Sequence, residues 1–361
     1  MAQYYYPVYL HIILLFSLIQ YSQCGKLNAD NLILKKRSNA AICFFVLFVF
    51  VIGFRPISPY FGDTVNYAPW FKAYQNGLIE YDSSTSEWLF QLIMFSCSKV
   101  MSVHGFFTIV LAGYVGFMLW ACFRLMPNNV TIAMLFCYGA FSFFSYGTNG
   151  IRNGLACSFV ILAISYITGN NRDKIVAFLL SYCAFCIHRS TALPILCMFI
   201  TLFYKNTKVV YLFWLASILI SAVAGGFMES LFTGLGFDDR LDHYIQETSD
   251  DDMFRHTGFR WDFLLYSSMP IVLGWYVVLK KKIVDRQYLM LLHTYVLSNA
   301  FWVMLIRASY SNRFAYLSWF LYPLVLAYPV LKLKIWKDQG KKTGLILMAQ
   351  IVFTYLLWLR G

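Results

Sequence analysis

The sequence predicts an all-α, polytopic membrane protein of about twelve transmembrane helices, and three observations carry that prediction. Of 361 residues, 60% are hydrophobic and only 13% charged, at a mean hydropathy of +0.60. A soluble fold has too little interior to hide that much apolar surface. The apolar residues gather in runs about 15–22 residues long, and roughly 20 such residues cross a bilayer as a helix. The runs lack the strict period-2 alternation of an outer-membrane barrel, so helices must satisfy the backbone within the lipid.

Taken in order, the apolar runs fall at about 7–22, 39–54, 88–103, 105–123, 130–147, 151–168, 174–187, 190–204, 209–232, 261–279, 287–306, 314–331 and 344–360. The first run has no Lys or Arg before it and no small-residue cleavage site, so it reads as a retained span and not a secretory signal. Basic connectors separate the later runs: Lys35-Lys36-Arg37, Arg172 with Lys174, Lys205 with Lys208, Lys280-Lys281-Lys282 with Arg286, and Lys332 to Lys342. Excess Lys and Arg marks the cytoplasmic side. From residue 150 to the end the connectors alternate as that rule requires.

Parity fails earlier unless one run does not cross. The segment 88–103 is assigned to that part, because it is short, carries Cys97 and Lys99, and is separated from the next run only by His104-Gly105. It reads as an interfacial or re-entrant helix in the outer leaflet. Both termini then lie outside. On this topology the cytoplasmic side carries the basic excess behind the net charge of +12, which is thus topological and gives no reason to expect nucleic acid. The sequon Asn129-Val130-Thr131 falls on the cytoplasmic side and is discounted. The nine cysteines lie mostly inside apolar runs, and Cys183-Ala-Phe-Cys186 reads as helix packing despite its redox-motif spacing.

The whole chain, 1–361, reads as a single integral membrane domain, with the outer loops 55–87 and 233–262 long enough to contribute to an active site. Onto that outer side fall arginines that biogenesis does not favour there. Such charges at the edge of hydrocarbon usually face an anion or a water-filled site. Arg55 closes a span and is followed by Gly62-Asp63-Thr64, with Tyr67 one helical turn beyond Asp63. Arg55 suits a phosphate and Asp63 a base or a sugar-hydroxyl acceptor; alternatively the two pair and order the loop. Asn149-Gly-Ile-Arg152 opens a helix, where free N–H groups and a guanidinium both favour phosphate, against the alternative of an arginine snorkelling to headgroups.

His188-Arg189-Ser190 sits between two apolar runs, and histidine is able to take a proton near neutral pH. An interfacial histidine with no chemistry is the alternative. Arg260-Trp-Asp262, Arg307, and Asn312-Arg313-Phe314 add further cations at outer span ends. The acidic run Asp250-Asp251-Asp252 reads as a solvated loop before a divalent-cation site. No phosphate-binding glycine loop, zinc spacing or nucleophile elbow is present in the sequence.

The order of these motifs resembles the EpsG/Wzy group of polysaccharide polymerases. Gly53-Phe-Arg55, Gly62-Asp63-Thr64 with Tyr67, Glu87 opening an apolar segment, Ile151-Arg152-Asn-Gly-Leu-Ala, His188-Arg-Ser-Thr-Ala-Leu, Phe259-Arg260-Trp-Asp262-Phe and Asn312-Arg313-Phe314 follow in sequence from about 53 to 320. The family often has an aromatic where this chain has Arg189, and Gln where it has Asn153. The resemblance implies a fold like that of GT-C-type membrane glycosyltransferases and a place in a bacterial inner membrane with the site facing the periplasm.

It also implies a reaction. Oligosaccharide repeat units carried on undecaprenyl diphosphate would be joined into O-antigen or a related polymer, with a flippase and a chain-length regulator as partners besides the membrane lipid. In this reading Arg152 and Arg313 stabilise the departing diphosphate, supported by Arg55 or Arg260. His188 or Asp63 is the base, and Tyr67, Arg189, Asp262 and Arg307 complete the substrate contacts. No metal or other cofactor is called for, because arginine supplies the charge. A flippase for the same lipid-linked sugar would instead place charges at mid-membrane and show two similar halves. A polymer ligase or a membrane acyltransferase remains the alternative within enzymes.

Overall fold

A computed structural model describes residues 2–34, 40–234, 259–307 and 311–360, without the side chains of 226–234 and 311–313. Every element among the described residues is a helix. In chain order these are α1 (Tyr5–Cys24), α2 (Ala29–Leu34), α3 (Ala40–Gly53), α4 (Thr64–Gln75), α5 (Trp88–Ser98), α6 (Val103–Leu125), α7 (Val130–Tyr138), α8 (Phe141–Thr148) and α9 (Ile151–Ile167). Then follow α10 (Asn171–Ile187), α11 (Ala192–Phe203), α12 (Thr207–Gly234), α13 (Trp261–Trp275), α14 (Arg286–Met304), α15 (Ser311–Trp319), α16 (Tyr322–Lys332) and α17 (Gln339–Arg360).

Among the described residues six helical stretches are long and apolar enough to cross a membrane: Ala2–Cys24, Val103–Leu125, Thr207–Gly225, Trp261–Lys280, Phe314–Lys332 and Gln339–Arg360. A seventh arises if α7 and α8, bent by 78° at their junction, form one broken span. This is a helical membrane protein. Four shorter apolar helices also occur, and α5 is the shortest of them at 11 residues. At 1.5 Å per residue it rises about 17 Å, well short of the roughly 30 Å of hydrocarbon.

The chain divides into two compact units, residues 1–191 with 326–361, and residues 192–325. In the first unit α1 lies along α17, α3 along α6, and α9 between α6 and α10. Local chemistry sets the helix ends that matter below. Asn170 and Asp173 form a reciprocal capping box at the start of α10, with the Asp173 N–H donating to Asn170 Oδ1 at 2.9 Å. Gly154, one turn into α9, lies so close to α8 that a Cβ there would stand 2.6 Å from the Tyr146 carbonyl oxygen. Only glycine allows the two helices that approach. An apolar cluster of Phe71, Phe90, Met94, Phe106, Phe107, Ile151, Leu155 and Ile187 unites α4, α5, α6, α9 and α10.

The second unit is organised around α14, which packs on α11, α12, α13 and α15. Polar side chains link three of these helices across their buried interfaces. Trp214 Nε1 donates to Asn299 Oδ1 at 2.8 Å, and Asn299 Nδ2 donates to Ser318 Oγ at 3.1 Å. The nine cysteines are free thiols, Cys183 and Cys186 among them on α10. Asn129 is buried, and its amide donates to the Leu32 carbonyl at 2.8 Å, so the discounted sequon is engaged in packing.

Candidate active site

Three helix ends in the first unit meet over the apolar cluster. Glu87 precedes α5, Arg152 stands in the first turn of α9, and His188 follows the last residue of α10. The Glu87 carboxylate stands at a helix N-terminus, where the dipole favours a negative charge, and Arg152 stands at another, where it does not. Arg152 is held there by Glu87. Its Nη1 forms a close ion pair with Glu87 Oε2. The other carboxylate oxygen, Oε1, lies 2.6 Å from His188 Nδ1 and accepts the Arg189 backbone N–H at 3.3 Å.

Burial by itself would raise the Glu87 carboxyl. The His188 hydrogen bond, the Arg152 charge and the Arg189 N–H outweigh it and hold the group down at about 2. A carboxylate only accepts, so the proton between the pair sits on His188 Nδ1. In the neutral imidazole of that tautomer, Nε2 is the nitrogen that carries the lone pair. The His188 backbone is fixed on both sides, its N–H donating to the Ala184 carbonyl at 2.9 Å and its carbonyl accepting from Thr191 Oγ1 at 2.7 Å. Side chains of Arg152, His188 and Glu87 keep 17%, 18% and 17% of their surface, enough to meet a ligand while water is sparse. Arg189 is exposed beside them.

A sign follows for acid. Because Glu87 titrates below its ordinary value of 4.5, its contribution to stability is complete above that value and is lost as pH falls through about 2. Between wild type and Glu87→Gln in detergent, the difference in thermal midpoint is expected to be constant from neutral pH to about 4.5 and to shrink below it. A difference that instead grew in acid would mean the carboxylate is not paired.

The remaining residues singled out from sequence divide into three groups. Arg55 does not face solvent: it is 1% exposed, donating from Nη1 to the Ile52 carbonyl and from Nη2 to the Thr148 carbonyl, both at 3.0 Å. The rings of Phe61 and Phe107 lie 5.6 and 5.3 Å from its guanidinium carbon. Burial pulls it down to about 10, still charged at neutral pH. It ties the end of α3 to the end of α8, three residues ahead of Ile151. Arg55→Leu strands two carbonyls at roughly 1–3 kcal/mol each, so the thermal midpoint should fall by several degrees. An unchanged midpoint would contradict that role.

Asp63 and Tyr67 belong to the same neighbourhood. The Asp63 N–H donates to Asn149 Oδ1 at 3.0 Å, and Tyr67 packs edge-on against Phe90 at 5.4 Å. Gly62, at φ +55°, makes that approach possible, since a Cβ would stand 2.2 Å from Asn149 Oδ1. Asp63 does not pair with Arg55.

In the second unit Arg260 and Asp262 pair with each other in a two-pronged geometry, 3.0 and 2.8 Å, with the guanidinium 3.7 Å from the Phe263 ring centre. Arg307 is exposed and donates to the Ala222 carbonyl at 3.3 Å. Arg313 lies on α15 but its side chain is outside the described residues, as are Asp250, Asp251 and Asp252. Among the described residues no group of three or more His, Cys, Asp or Glu is arranged to hold a metal ion.

One family model, described as the EpsG family, matches residues 39–360. The chain belongs to the EpsG family. No curated protein and no solved structure matches it. An EpsG chain is a polysaccharide polymerase-like membrane protein. The match runs through every helix from α3 to α17, including the three that carry Glu87, Arg152 and His188. Glu87 is the functional candidate that sequence order alone leaves without a role. The available signal was its position: a lone carboxylate at the outer edge of an apolar run, on the face that also holds Arg152 and His188.

Proposed function

We propose that this EpsG-family chain polymerises undecaprenyl-diphosphate-linked oligosaccharide repeat units by glycosyl transfer at the periplasmic face of a bacterial inner membrane, with about twelve spans and a GT-C-like arrangement. The observation that carries the reading is the Glu87–His188–Arg152 cluster. It pairs an oriented base with a guanidinium suited to phosphate, the two things the reaction needs.

The acceptor unit's hydroxyl loses its proton to His188 Nε2 as its oxygen bonds to the anomeric carbon of the growing chain. The bond from that carbon to the diphosphate oxygen breaks, and the electron pair leaves with the lipid diphosphate. Glu87 keeps the imidazole in the required tautomer and steadies the imidazolium that forms, a role like that of the carboxylate in a catalytic triad. Arg152 and the neighbouring Arg189 offer the charge that meets the leaving diphosphate. The assignment of Arg313 to the same diphosphate rests on its family motif alone. Asp63 is retained as a sugar-hydroxyl acceptor, because no oriented proton path is attached to it.

Purified protein in liposomes, given purified lipid-linked repeat unit, should yield longer lipid-linked chains and free undecaprenyl diphosphate, and should do so in the presence of EDTA. Absence of any elongation by protein that remains folded would reject the polymerase reading. Loss of elongation only with EDTA would reject arginine as the sole source of charge.

A further inference from the structure

Beside the face of α4 that packs on the apolar cluster lie three side chains with no bonding partner within the described residues. Thr64, Ala68, Phe71 and Tyr74 point inward and are buried. Asp63, Asn66 and Trp70 lie on another side of the same helix, within an arc of about 60° at 3.6 residues per turn. Trp70 is 56% exposed and Asn66 is exposed, while Asp63 is half-buried. The Asp63 carboxylate makes no capping hydrogen bond to its helix. No hydrogen bond, ion pair or ring contact engages the side chains of Asp63, Asn66 or Trp70 among the described residues. This face is joined to the candidate active site by the bond from the Asp63 N–H to Asn149, three residues before Arg152.

We propose that Asp63, Asn66 and Trp70 form a subsite for a pyranose ring of the acceptor oligosaccharide. The inference rests on the polymerase reading for its substrate and for Asp63 as a hydroxyl acceptor, and it adds Asn66 and Trp70, which that reading does not use. The chemistry of the three groups matches a sugar. An exposed indole offers a flat apolar surface to the C–H face of a pyranose. A carboxylate accepts from hydroxyls, and a carboxamide both donates and accepts. The rival occupant of an exposed tryptophan in a membrane protein is the lipid interface. The phosphate of a headgroup is repelled by the Asp63 carboxylate, and neither Asn66 nor Trp70 brings a positive charge to offset it. An unpaired carboxylate beside an unpaired amide favours a polyol over a headgroup.

Two measurements test the subsite. In the first, the oligosaccharide released from its lipid is titrated into wild type and Trp70→Phe, and their difference in emission isolates Trp70. The saccharide should change that difference signal, and phosphatidylcholine brominated on its acyl chains should not quench it. Quenching by brominated lipid with no response to saccharide would make Trp70 a membrane anchor and end the proposal. In the second, Trp70→Ala and Asn66→Ala should each raise the acceptor KM about tenfold while kcat stays within about twofold, the pattern of lost ground-state binding.

The conservative Trp70→Phe should recover most of the KM, and helix content by circular dichroism should match wild type in all three variants. Normal KM in Trp70→Ala and Asn66→Ala with elongation intact would reject the subsite and leave the polymerase standing. A saccharide response at Trp70 in a protein that never elongates would support the subsite and reject the polymerase.

Discussion

Arg152→Ala is expected to abolish chain elongation while the protein still inserts and accumulates. Removing one preorganised donor from a developing anion typically costs 10²–10³ in rate, or about 2.7–4 kcal/mol. Here the loss should reach the upper end, because the same change strips Glu87 of the close ion pair that neutralises it. The charge alone is not enough, since a guanidinium presents two parallel donors to phosphate where an ammonium presents a point. Arg152→Lys should therefore restore insertion-level stability but only a small part of the rate. Long-chain polymer of normal length and amount in Arg152→Ala cells would remove the charge-stabilisation account.

The second large effect is at His188. Loss of a positioned general base costs about 10²–10⁴ in rate. His188→Ala should lower kcat by that order and leave the substrate KM nearly unchanged, since Nε2 acts on the proton in flight and not on binding. His188→Gln can still donate to Glu87 Oε1 from its amide yet has no basic nitrogen, so it should fold like wild type and be as slow as the alanine variant. Normal polymer lengths in both would take His188 out of the mechanism. Raised KM with normal kcat would make it a binding group.

Much of this arrangement could be read from the residues in order, and the part that could not has a physical reason. The helical runs were legible because a long apolar run in lipid leaves the backbone no alternative to a helix. Arg152 and His188 were visible as charges at unfavourable edges. What joins them was not visible, because Glu87 is 65 residues from one and 101 from the other by number, and only the packing of α5, α9 and α10 over Phe90, Ile151 and Ile187 brings the three ends together. Arg55 shows the converse. An arginine at a span end is equally suited to an anion and to stranded carbonyls, and sequence does not separate them. In the fold its two donors go to Ile52 and Thr148. The Asp63 peptide, held by Asn149 across a glycine of positive φ, depends on a close approach that no spacing rule describes.

These residues give the account its central claim, that Glu87 and His188 act as one unit and not as two separate contributors. A double-mutant cycle on the initial rate of elongation in liposomes tests it most directly, with Glu87→Ala, His188→Ala and the pair measured side by side. Residues that act as a unit are strongly non-additive. The account predicts a double variant no more than about threefold slower than the worse single. Two losses that simply multiply would contradict it.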